Sequence, residues 1–166
     1  MYYDSGMRIV IIVVVLLVVG AGAGAIIWAS GNHAGQVNTD SSRIAIKGYD
    51  PVAYFTREAP VAGRSEYSHE WNNATWLFSS AEHRDRFAAD PEAYAPAYGG
   101  YCAWAIAEGT VAGINPDMWH IEEGRLYLNF SARTNRRFLN DVSGNIARAE
   151  GNWPDIRARL ESKASQ

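Results

Sequence analysis

The chain has 166 residues, 15 basic against 18 acidic side chains and a net charge of −3, with 48% hydrophobic residues. Its densest cationic spot is the pair Arg136-Arg137, so nucleic acid is not an expected partner. A single cysteine, Cys102, excludes an internal disulfide, and an exported domain built from this sequence must be stable without one.

The first element is an uninterrupted apolar run from Ile9 to Ala29, free of charge. Its 21 residues, at roughly 1.5 Å per residue, reach about the thickness of a bilayer's hydrocarbon core. Arg8 precedes the run, and no Lys or Arg follows until Arg43. That asymmetry predicts a cytoplasmic N-terminus over 1–8, a transmembrane anchor or uncleaved signal over 9–29, and the remainder on the periplasmic or extracellular side. The alternative is a secreted protein, cleaved after Ala21-Gly22-Ala23 or Ala23-Gly24-Ala25. Ile26, Ile27 and Trp28 carry the apolar stretch past those positions and favour the anchor.

Residues 30–43 are polar and unpatterned and read as a linker; a domain is expected over 44–160. Ile44-Ala45-Ile46-Lys47 predicts a short strand, Gly48-Tyr49-Asp50-Pro51 a turn, and Val52-Ala53-Tyr54-Phe55 an apolar turn that packs inward. A hairpin follows over 66–71 and 75–78, with its turn at Asn72-Asn73. Ser79 and Glu82 fit a capping box for a helix over about 80–89, with Phe87 facing the core. Pro91 opens a short turn and Pro96 closes it. Residues 102–107 read as helical. A second hairpin takes 118–121 and 126–130, Ser131 caps a helix over about 132–141, and a last helix begins near Asn145 and is interrupted at Trp153-Pro154. Hairpin, helix, hairpin, helix is an α+β pattern with antiparallel pairing.

Several motifs carry a resemblance: Gly48-Tyr49-Asp50-Pro51-Val52-Ala53-Tyr54-Phe55, Trp76-Leu77-Phe78-Ser79, Asp90-Pro91-Glu92-Ala93-Tyr94, Tyr98-Gly99-Gly100-Tyr101-Cys102-Ala103, Leu126-Tyr127-Leu128-Asn129 and Asn152-Trp153-Pro154. In this order they resemble the YHS domain, closest to its exported or membrane-anchored members. The resemblance implies small antiparallel hairpins packed on short helices, a treble-clef-like shape, preceded here by one transmembrane helix. Metal-binding relatives place a cysteine after Asp-Pro-Val and two more, four residues apart, at the hairpin-to-helix junction. Those positions here hold Ala53, Ser79 and His83, so the family's metal binding does not carry over at its usual places.

The candidate ligands that remain are Cys102, His69, His83 and His120, with His33 in the linker. A thiolate with an imidazole suits copper, and a four-ligand set suits zinc, although no pair stands at chelating spacing. The alternative is that Cys102, beside Gly99, Gly100 and Ala103, is a small buried residue that is slow to react. Asp50, Glu70, Asp85 and Asp117 sit beside turns or on a solvated helix face, where capping and solubility are their expected roles. No nucleophile elbow or oxyanion loop is present, and no enzyme activity is expected. Gly99-Gly100 beside Tyr98, Tyr101 and Trp104 predicts a close backbone approach, to a neighbouring element or to a ligand pocket. The function expected is a non-catalytic binding or accessory module of the cell envelope, with copper handling as its candidate task. A metal-free interaction module of a membrane complex is the alternative, and a Cys102-dependent enzyme or redox protein the outsider.

Overall fold

The computed structural model describes residues 36–166. The apolar run 9–29 and His33 lie outside the described residues, among which no helix is long and apolar enough to cross a membrane.

The fold is α+β, with two antiparallel hairpins, each a separate two-stranded sheet, and six α-helices among the described residues. β1 (Arg64–Trp71) pairs with β2 (Ala74–Phe78). Asn72 and Asn73 form the two-residue turn with φ of 50° and 57°, the left-handed conformation that asparagine tolerates and that matches strand twist. β3 (Asn115–Glu122) pairs with β4 (Arg125–Asn129) through Glu123-Gly124, also at positive φ. Both hairpins carry an irregularity early in the first strand, between Arg64 and Ser68 and between Asn115 and Trp119. Each first strand therefore starts earlier than its alternation suggests.

The helices are α1 (Ala53–Thr56), α2 (Ala81–Ala89), α3 (Pro91–Tyr94), α4 (Ala103–Ala107), α5 (Ala132–Leu139) and α6 (Val142–Ala164). Three expectations are corrected. Ile44–Lys47 is not a strand: Ile44 and Ala45 make single bridges to Thr75 and Thr39, and Ile46–Gly48 is a 3-10 turn with Lys47 at φ 58°. The cap of α2 is Ser80, whose side chain accepts from His83 N, because the Ser79 side chain is held elsewhere. The last helix is continuous from Val142 to Ala164, with Asp141 as its cap and Pro154 inside it. Proline withholds one N–H there, and the packing of Trp153, Ile156 and Leu160 onto the second core outweighs that loss. From Gln36 the chain is already attached: Val37 is buried and Asn38 N donates to Gly99 O at 2.8 Å.

Two cores meet at β4, which is buried on both faces. Leu126 and Leu128 point into the first core, with Val52, Tyr54, Trp76, Phe78 and Phe87, while Tyr127 points into the second, with Tyr98, Ile106, Phe138 and Ile156. The two-residue period of a strand imposes this division. Phe87 of α2 is the hinge of the first core, with its ring centroid 5.1 Å from Trp76, 5.2 Å from Phe78 and 5.8 Å from Trp71.

Candidate functional site

Asp50 ends the Gly-Tyr-Asp-Pro turn and is fully buried. Pro51 and Val52 separate it from α1, and its carboxylate turns onto the backbone N–H groups at the helix start. Oδ1 accepts from Val52 N at 2.9 Å and from Ala53 N at 3.2 Å. Oδ2 accepts from Ser79 N at 2.8 Å, from Ser79 Oγ at 2.6 Å and from His83 Nδ1 at 2.6 Å. A carboxylate only accepts, which places the hydrogen of that last contact on Nδ1. On the other side of the ring, His83 Nε2 lies 3.2 Å from Thr56 Oγ1, which donates to Val52 O. Asp50 thus ties α1, the end of β2 and the start of α2 into one corner.

Positions 53, 79 and 83, where the resemblance puts a relative's cysteines, all converge on this carboxylate. The donor set does not fit a soft metal ion. Ala53 offers only a backbone N–H, Ser79 a neutral hydroxyl, and His83 Nδ1 is engaged with Asp50. The carboxylate itself already takes five protein hydrogen bonds. Among the described residues no three His, Cys, Asp or Glu side chains come together in a way that would hold a metal ion.

The other candidate ligands are dispersed. Cys102 is fully buried at the start of α4, bridged in parallel to Leu128, and its Sγ donates to Asn129 Oδ1 at 3.6 Å. The same Asn129 oxygen accepts from Trp104 N at 3.1 Å, so a side chain from β4 caps α4 where Cys102 supplies no cap of its own. Half-buried His69 sits on β1 against the Phe87 ring, 6.1 Å between centroids. His120 on β3 faces Phe138 at 6.3 Å, and its Nε2 lies 2.9 Å from Glu122 Oε2. Of these residues only His83 belongs to the Asp50 corner.

Sequence reasoning gave Asp50 a capping role but missed its burial and its reach to Ser79 and His83, and it missed Asn129 as an organising residue. Asp50 had a signal: an Asp-Pro turn directly before an inward-packing segment is a helix-cap pattern, and a cap on buried backbone must itself be buried. Asn129 had none, because its partners Cys102 and Trp104 lie about 25 residues away in the chain.

A surface cleft lies apart from this corner. Two adjoining hollows of about 130 and 310 Å³ share Trp71, Ala95 and Pro96; Trp153 and Arg157 line the smaller, Tyr98 and Arg125 the larger. Gly99 also lines the smaller hollow at φ +61°, and a Cβ there would stand 1.7 Å from Gln36 O. The close approach expected at this glycine is therefore to a neighbouring segment. Tyr98 is buried: desolvation, and next the negative charge of Glu150, raise its phenol well above the ordinary value. Compared with protein-family models, with curated proteins and with solved structures, the chain matches none of them.

Proposed function

We propose that this chain is a non-catalytic binding or accessory module of the cell envelope, related to the YHS domain, held to the membrane by residues 9–29 and working without a resident metal. The observation that carries this reading is the Asp50 corner. The three positions at which a metal-binding relative would offer thiolates are turned onto a buried carboxylate with five protein donors. A network with all its members satisfied fixes the geometry that a metal would otherwise impose. The corner thus serves as scaffold, and recognition falls to the surface, where the cleft offers the half-buried rings of Trp71 and Trp153 with Arg125 and Arg157 beside them.

Copper handling through Cys102 is the rival reading. Its weakness is geometric: the thiol is fully buried and directed at Asn129, and among the described residues no three His, Cys, Asp or Glu side chains gather to hold a metal ion. Elemental analysis of the full chain, with Cu(I) and Zn(II) titration of wild type, Cys102→Ser and His83→Ala, separates the two. The proposal expects no stoichiometric metal in any of them. One equivalent bound by wild type and lost in Cys102→Ser hands the function to metal handling.

A further inference from the structure

Among the described residues three large apolar side chains are exposed, Val111, Phe130 and Leu139, and two of them bracket α5. Phe130, 56% exposed, precedes the cap residue Ser131; Leu139, 43% exposed, is the last residue of the helix. Between them stand Arg133, Arg136 and Arg137, all exposed, and no Asp or Glu occurs from Phe130 to Asn140. Arg137 lies over the Trp104 ring, 4.9 Å from its centroid, and none of the three arginines forms a salt bridge among the described residues.

The orientation of α5 is set from inside. Phe138 is fully buried against Tyr127, 5.4 Å between centroids, and the Ser131–Thr134 capping box fixes the first turn. At about 100° per residue, Arg133 and Arg136 then fall on the side opposite Phe138, and Leu139 lies on the flank next to Arg136. The helix therefore presents cations with apolar ends to solvent, on a chain whose overall charge has the opposite sign.

We infer that this face of α5 docks on an anionic phospholipid surface, with Phe130 and Leu139 entering the acyl boundary and the arginines meeting phosphates. Charge complementarity selects the occupant. Arginine stems lie along apolar surface while their heads stay at headgroup level, and cations beside exposed Phe and Leu are the composition of an interfacial helix. An acidic protein surface would satisfy the arginines and leave Phe130 without an acyl layer to enter. The inference rests on the membrane-anchored reading only in supposing that a bilayer is close at hand.

The test uses the full chain in vesicles of phosphatidylcholine alone and of phosphatidylcholine with phosphatidylglycerol, following amide hydrogen exchange over 130–140. Exchange is expected to slow only on the phosphatidylglycerol vesicles and to recover in high salt. The double change Arg133→Glu, Arg136→Glu should remove on the order of tenfold or more of that protection. Phe130→Ser, a surface change that leaves the charge intact, should weaken it as well. Equal exchange on both vesicles overturns the inference. So does protection that appears only when an acidic membrane protein is added. High-pH extraction of the same vesicles reads the anchor separately. A chain that is released yet protected keeps this inference and loses the anchor; one that is retained yet unprotected does the reverse.

Discussion

His83 Nδ1 donates to Asp50 Oδ2 at 2.6 Å across 33 residues of sequence, with the Asp50 side chain fully buried and His83 nearly so. This bond joins α2 to the turn before α1. It makes the first core depend on a polar contact, because Phe87, one turn further along α2, is held in register by it. Removing either partner leaves the other to find bonds in a place that water does not reach.

The corner should accordingly rank three substitutions. Asp50→Ala takes the side-chain acceptor from the Val52 and Ser79 N–H groups and from the imidazole, leaving Ala53 N–H its backbone bond to residue 50, and should cost about 3 kcal/mol or more. His83→Ala removes one donor and leaves the other four, for a loss of about 2 kcal/mol. Ser79→Ala keeps its backbone bond and should cost about 1 kcal/mol. Urea unfolding of the three variants beside wild type measures the order. An Asp50→Ala midpoint equal to that of wild type would show that the network contributes nothing.

Cys102 is shielded by fold and not by chemistry, since its Sγ points at Asn129 from a fully buried position. A thiol reagent at neutral pH should label the folded chain slowly and the denatured chain fast. Asn129→Ala removes the acceptor shared by Cys102 and Trp104 N, so it should speed labelling by loosening α4. Rapid modification of folded wild type would contradict the observed burial.

Alkaline pH should unfold the domain through its tyrosines. Burial raises the phenols of Tyr54 and Tyr98 well above their ordinary 10.0, with nearby negative charge adding to the effect, and it raises Tyr101 and Tyr127 as well. In the unfolded chain these groups lose their protons near pH 10, while in the folded chain they hold them. Stability is therefore fully present below the unfolded value and falls as pH rises beyond it. Denaturation midpoints on either side of pH 10 measure the slope, and phenolate absorbance should appear together with unfolding. Tyrosines that ionise at their ordinary value in the folded protein would refute this.

What could be read from the sequence is what local rules govern. The α+β class, both hairpins with their turns at Asn72-Asn73 and within 122–125, the inward Val52–Phe55 segment, Phe87 in the core and the Ser131 cap all rest on interactions within a few residues, where alternation, turn chemistry and capping decide. The tertiary structure decided the rest. Ile44 and Ala45 were drawn from a strand into single bridges because β2 offers Thr75 there; Ser79 lost its capping role to a buried Asp50; Pro154 stayed inside a helix because Trp153 and Ile156 pack around it. His83 and Asp50, or Cys102 and Asn129, are brought together only when two cores close on either side of β4. Local patterns cannot show which distant polar groups a fold will bury together, because that choice belongs to the packing of the whole domain.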